Sequence, residues 1–151
     1  MRITSKSVKH TLSLGHKISR LLKKGDIICL FGELGAGKTV LVKGIAQGLD
    51  ISISEVISPS FTIARQYEGK LSLCHLDLYR LRITDILQLG YEDYLYGDGV
   101  AVIEWADRLD GYLPQEYLKI RIKMLDDNSR QIDVTAVGEK YKKFITSRLY
   151  L

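Results

Sequence analysis

Eight consecutive residues restrict the possible folds of this chain more than any other stretch: Gly32, Glu33, Leu34, Gly35, Ala36, Gly37, Lys38 and Thr39. They fit the spacing Gly-x-x-x-x-Gly-Lys-Ser/Thr, in which glycines let the backbone turn with several N–H groups pointing inward. The flanks carry as much weight as the pattern. Asp26-Ile27-Ile28-Cys29-Leu30-Phe31, just before it, is an almost unbroken apolar run with the length of a buried parallel strand. In the stretch Val40 to Leu49, just after it, Leu41, Val42, Ile45 and Leu49 recur at helical spacing, and Gly48 reads as the stop. Strand, glycine loop and helix follow one another in the order this pattern requires.

That order has chemical consequences. The first turn of a helix exposes unpaired N–H groups and the positive end of the helix dipole, so an anion held in the loop faces both. Glu33, Leu34, Gly35, Ala36, Gly37, Lys38, Thr39 and Val40 are the residues expected to surround it. Lys38 is expected to reach the β- and γ-phosphates, and the Thr39 hydroxyl to complete the coordination of Mg²⁺. A glycine-rich turn with a merely solvated lysine and threonine is the structural alternative, and it does not require the flanking strand and helix. The loop is therefore expected to bind a nucleoside triphosphate.

The rest of the composition bounds the class. A chain of 151 residues with 46% apolar and 26% charged content is expected to form one globular domain, 1–151, that buries its own core. No apolar run is long enough to span a bilayer, and Met1 to Ser5 lack the apolar core of a secretory signal, so a cytoplasmic location is expected. Cys29 and Cys74 sit in apolar, strand-like stretches and read as reduced, buried core residues; no ligand spacing ties them to His10, His16 or His75. A net charge of +4 permits contact with RNA or an acidic partner without demanding it.

In chain order, Met1 to Ser5 reads as a short strand and Ser7 as the cap of a helix reaching about Lys23. After a loop from Asp50 to Ser60, two extended runs, Ile63–Glu68 and Leu71–Leu78, flank Gly69-Lys70 as a hairpin. Asp77 falls at the end of its second arm, where a carboxylate is placed to hold Mg²⁺ directly or through water; a strand-terminating turn cap is the other reading. Thr84 to Leu95 has a helical pattern broken by Gly90. Val100 to Ile103 is a second buried strand, and Glu104 at its end is a candidate to hold the metal and to orient or activate water. Trp105 reads first as core, with a partner anchor or a wall of the site as the other readings. Tyr117–Met124 and Arg130–Ala136 alternate apolar and polar residues, which predicts a hairpin with one wet face at the sheet's edge. Tyr141, Phe144, Ile145 and Leu149 share a helical face in the tail, among Lys140, Lys142, Lys143 and Arg148: a docked amphipathic helix or an RNA-binding patch. Together these elements predict an α/β fold, a P-loop NTPase-like three-layer sandwich. Its mixed sheet would have a parallel core, antiparallel hairpins and flanking helices.

Five blocks in this order resemble the TsaE family, the small P-loop ATPases of bacterial threonylcarbamoyladenosine modification of tRNA. They are Gly25-Asp26 with Ile28, Gly32 to Thr39, Ser58-Pro59-Ser60-Phe61-Thr62, His75-Leu76-Asp77-Leu78-Tyr79-Arg80, and Ile103-Glu104-Trp105. The resemblance implies ATP and Mg²⁺ as ligands and two partners, a TsaD-type transferase and a TsaB-type scaffold. The partners move threonylcarbamoyl to adenosine 37 of tRNA, while nucleotide hydrolysis drives or resets them. Carried onto this chain, it implies Lys38 and Thr39 at the phosphates and Mg²⁺, Asp77 as metal-side acid, Glu104 as the acid that positions water, and Thr62 in a switch-like loop. Ser60 departs from the family's usual Thr but keeps the hydroxyl. Asp107 after Ala106 departs from the usual Pro-Glu.

A small-molecule or nucleoside kinase uses the same loop, and Arg80 and Arg82 are available to it, though little chain remains for a lid. A GTPase switch is excluded by the missing Asn-Lys-x-Asp, since Asn128, the one asparagine, is followed by Ser129.

Overall fold

In the computed structural model, which describes residues 1–59 and 63–147, every residue of strand β2 (Ile27–Phe31) is buried. A strand apolar on both faces needs cover on both faces, and β2 has it. Ile28 and Leu30 join a core with Leu14 and Ile18 of helix α1 (Val8–Ser19) and Leu41, Val42 and Ile45 of helix α2 (Lys38–Gly48). Ile27, Cys29 and Phe31 join a second core with Ile86 of α3 (Ile83–Gln88), Leu95 of α4 (Glu92–Leu95) and Leu109 of the 3₁₀ segment Ala106–Tyr112. The result is the expected three layers.

The sheet also contains β1 (Arg2–Ser5), β3 (Ala64–Tyr67), β4 (Leu73–Asp77), β5 (Val100–Glu104), β6 (Tyr117–Met124) and β7 (Arg130–Val137). Its order is β1-β7-β6-β2-β5-β4-β3. The neighbours β4/β5, β5/β2 and β2/β6 are parallel, and the pairs β3/β4, β6/β7 and β7/β1 are antiparallel. The β6–β7 hairpin therefore forms as expected but lies inside the sheet, with β1 as the margin beyond it. The burial of β6 explains this: Leu118, Ile120 and Ile122 fill one core and Tyr117 the other, so only part of a face stays wet. Lys119 and Arg121 lie against the Phe31 ring at 5.1 and 5.6 Å.

One helix end differs from expectation. Helix α1 starts at its Ser7 cap, whose hydroxyl accepts the His10 N–H at 3.2 Å, but stops at Ser19 rather than near Lys23. The buried Asp26 carboxylate takes the Lys23 N–H at 2.8 Å, and the Gly25 N–H goes to the Gly99 carbonyl, drawing the chain out of the helix. Helix α2 ends at Gly48 as expected, with Leu49 as its C-cap and Asp50 in the left-handed region at φ 64°. Gly48 also serves packing. A Cβ there would strike the Ser19 side chain, and one at Gly44 would strike the Leu12 carbonyl, so these glycines let α1 and α2 touch backbone to backbone.

The tail docks as a 3₁₀ turn, Glu139–Tyr141, and a short helix α5 (Lys142–Thr146), with Tyr141 and Phe144 fully buried. Arg148 and Leu149 lie outside the described residues. The Tyr141 hydroxyl accepts the Ile27 N–H at 2.7 Å, and the fully buried Asp26 pairs with Lys140 at 3.1 Å. The base of β2 is thus tied to the tail, at the end opposite the glycine loop. Both cysteines are free thiols; Cys29 is buried, but Cys74 is only half-buried. Burial raises both thiol pKa values, that of Cys74 to about 11. No helix among the described residues is long and apolar enough to cross a membrane.

Candidate functional site

At the C-terminal end of β2 the chain enters the loop with Gly32 at φ 152°, Gly35 at 76° and Gly37 at 103°. Side-chain-bearing residues rarely adopt such values. A Cβ on Gly32 would also collide with the Ile122 carbonyl of β6. Gly37 is the N-cap of α2 and supplies no side-chain bond to the helix's first N–H groups, which therefore face the loop's hollow. From outside, the Arg130 guanidinium donates to the Ala36 carbonyl at 3.0 Å and to carbonyls of the β6–β7 turn, clamping that turn to the loop.

Lys38 is folded back onto the loop. Its Nζ donates to the Gly32 carbonyl at 2.7 Å and the Glu33 carbonyl at 2.8 Å, and lies 4.1 Å from the centre of the Trp105 ring. Burial lowers its pKa, opposed by the nearby carboxylates of Glu104, Asp77 and Asp107. Two carbonyls and a ring face hold the ammonium at the mouth of the loop.

Beside it, the Thr39 hydroxyl donates to Glu104 Oε1 at 2.8 Å. Glu104 is 3% exposed, so its partners matter. The second is His75, fully buried, whose Nε2 lies 2.8 Å from the same Oε1. Strand parity explains the meeting. Val100 and Val102 face the α2 core, so Glu104 faces it too; Leu73 faces it, so His75 and Asp77 do as well. Asp77 pairs in register with Glu104 across β4 and β5. Its Oδ2 accepts from the Ser58 hydroxyl at 2.8 Å and its Oδ1 from the Tyr79 N–H at 3.0 Å.

Trp105 is half-buried rather than core, at φ 57° and ψ 43°. A bulky residue in that region is a strained exception of the kind that collects at functional sites. Its ring packs on Tyr79 at 4.7 Å and forms a wall of a cavity of about 650 Å³ lined also by Gly35, Lys38, Thr39, Asp77 and Glu104. Of the residues expected in the site, Leu34, Gly35, Gly37, Lys38, Thr39, Val40, Asp77 and Glu104 line this cavity. Glu33 and Ala36 of the loop lie instead beside a smaller neighbouring hollow, with Gly32 and Met124. Ser60 and Thr62 lie outside the described residues. Sequence reasoning missed His75 as a contact of Glu104, Ser58 as a contact of Asp77, and Arg130. The alternation of β4 signalled the first, together with its place in the block His75 to Arg80.

Among the described residues no group of three or more His, Cys, Asp and Glu side chains forms a metal cage. The oxygen donors present, Thr39, Glu104 and Asp77, suit a hard cation such as Mg²⁺, which keeps several waters and takes the rest of its shell from phosphates.

A glycine loop between a buried parallel strand and an uncapped helix, with a lysine and a threonine at the helix start, defines a P-loop fold. The family model described as "Threonylcarbamoyl adenosine biosynthesis protein TsaE" matches residues 5–132. The chain is 42% identical over 135 residues to the tRNA threonylcarbamoyladenosine biosynthesis protein TsaE of Treponema pallidum (strain Nichols), covering 89% of this chain and 99% of that one. It is 42% identical over 135 residues to the protein of that name from Bacillus subtilis (strain 168), covering 89% and 84%. A solved structure titled "Crystal structure of Bacillus subtilus YdiB" superposes with a TM-score of 0.82 at 37% identity, covering 99% of this chain and 93% of that one. The chain belongs to the TsaE family.

Proposed function

We propose that this chain is a cytoplasmic, Mg²⁺-dependent ATPase subunit of the assembly that adds threonylcarbamoyl to adenosine 37 of tRNA. In this reading it works with a TsaD-type transferase and a TsaB-type scaffold. The observation that carries the catalytic part is the convergence of Lys38, Thr39 and Glu104 on one cavity at the mouth of the glycine loop.

In this reading the N–H groups of Glu33 to Val40 surround the phosphates. Lys38 leaves its two loop carbonyls for the β- and γ-phosphate oxygens, a charge-assisted exchange that favours the bound state. Thr39 donates to Glu104 and so keeps its lone pairs directed at the cation. Thr39, Glu104 and Asp77 would hold Mg²⁺, which would supply positive charge to offset that of the phosphates. Glu104 holds the cation side with Oε1 and aligns the attacking water with Oε2, which has no hydrogen-bond partner among the described residues. Asp77, with both oxygens engaged, acts on the cation through water. A second cavity of about 110 Å³, lined by Ser7, Val8, Thr11 and Asn128, shares Gly37 and Val40 with the first, and in this reading it would take the base.

The test is ATP hydrolysis by the purified chain, alone and with the transferase–scaffold pair. Slow turnover alone and strong stimulation by the pair is the expected result. Phosphate transfer to a small acceptor, with no stimulation by the pair, would put a kinase in its place.

A further inference from the structure

We infer that His75 is a positioning residue for the hydrolytic site: its imidazole fixes Glu104 so that Oε1 stays with Thr39 and Oε2 faces the reacting phosphate. The inference rests on the reading of Glu104 given above and extends it to a residue outside the glycine loop and its cavity lining.

Three observations carry it. His75 is fully buried and Glu104 is 3% exposed, so water cannot stand in for either partner. Nε2 lies 2.8 Å from Oε1, and the Thr39 hydroxyl reaches that same oxygen at 2.8 Å, so one carboxylate oxygen takes both bonds. The other ring nitrogen, Nδ1, is buried with no hydrogen-bond partner. The last point assigns the tautomer. With the proton on Nε2, the ring donates to the carboxylate and leaves only an unpaired acceptor at Nδ1. With the proton on Nδ1, two lone pairs would oppose each other across 2.8 Å and a donor would be stranded in the core.

The consequence is geometric. A Glu side chain at a strand end has three torsions, and a single hydroxyl does not fix the carboxylate plane. Two donors at one oxygen, one from α2 and one from β4, do. The imidazole donor sits at the middle of strand β4 and not on a loop, so nucleotide entry need not move it. A partner that holds a ligating carboxylate in this way commonly changes metal affinity or activity 10–100-fold when removed.

The test compares His75→Leu, His75→Gln and His75→Asn in the full chain. Gln carries an amide donor near the Nε2 position and Asn near Nδ1. Two readouts are taken: the Mg²⁺ concentration at half-saturation of the ATP-induced change in Trp105 fluorescence, and the separate kcat and KM for ATP. Trp105 is the single tryptophan and touches Lys38, so it reports nucleotide arrival without turnover. His75→Leu and His75→Asn are expected to raise the Mg²⁺ midpoint about tenfold and lower kcat about tenfold or more, with KM nearly unchanged, while His75→Gln stays within about threefold of the native protein. Equal behaviour of the Gln and Asn variants would overturn the inference, because shape and not the Nε2 donor would then be at work. It holds as a test even if His75→Leu fails to fold. A native protein whose fluorescence ignores ATP would overturn the nucleotide reading itself, and this inference with it.

Discussion

Replacing Tyr141 by Phe removes one oxygen and should weaken the fold without touching nucleotide binding. The Tyr141 hydroxyl is the acceptor for the Ile27 N–H, at 2.7 Å, across 114 residues of sequence. Burial, reinforced by the Asp26 carboxylate, raises the hydroxyl's pKa, so it stays a neutral phenol through the physiological range. Phenylalanine keeps the ring and its stack on Phe144, 5.9 Å between centres. What changes is that a buried backbone donor at the start of β2 loses its partner. A stranded donor of this kind costs about 1–3 kcal/mol. Unfolding entropy of about 2.1 cal/mol/K per residue gives a chain of this length about 0.3 kcal/mol per kelvin, so Tm should fall by about 3–9 K. The glycine loop begins at the other end of β2, about 13 Å away at 3.3 Å per residue. ATP affinity, followed by Trp105 fluorescence, should therefore stay within about twofold of the native value. Thermal unfolding by circular dichroism, paired with that titration, decides the matter. A Tm within about 1 K of the native protein would refute the reasoning, since the Ile27 N–H would then have found another acceptor. A large loss of ATP affinity would refute the separation of the two ends of the strand.

Two further substitutions address the site directly. Lys38→Ala removes the cation that two loop carbonyls and the Trp105 ring now hold ready, and ATP affinity measured by calorimetry should fall at least about 100-fold; unchanged affinity would sink the phosphate-loop assignment. Glu104→Ala should leave ATP affinity within about threefold while lowering kcat about 100-fold or more, because alignment of water is felt mainly in the transition state; an equal loss of binding would give Glu104 a purely structural role.

What was legible in the sequence, and what was not, follows from how far apart the interacting residues lie along the chain. The glycine loop, its strand and its helix are one continuous stretch, so their positive-φ glycines, apolar run and helical spacing all speak for the same local geometry. The β6–β7 hairpin was equally local and equally legible, but its place in the sheet was not. Alternation in Tyr117–Met124 reports which residues face a core, yet pairing with β2 depends on which edge of β2 is open after β5 has taken the other. The α1–α2 contact shows the same limit from another side. Gly48 reads as a helix stop and α2 does end there, but nothing in the sequence shows that its missing side chain also admits Ser19 of the neighbouring helix. Trp105 belongs in the same group: its residue type suggests core, and only the left-handed backbone after β5 turns it over Lys38. The site divides along the same line. Lys38 and Thr39 announce themselves through a motif, and Asp77 and Glu104 through strand ends that carry an acid. His75 does not, because a histidine inside an apolar strand has the pattern of any core residue. Its meaning appears only when register sets β4 beside β5, Asp77 opposite Glu104 and His75 one pleat behind. A residue that acts by holding another is legible only after both strands have been placed, so the supporting layer of a site like this one has to be read from the fold.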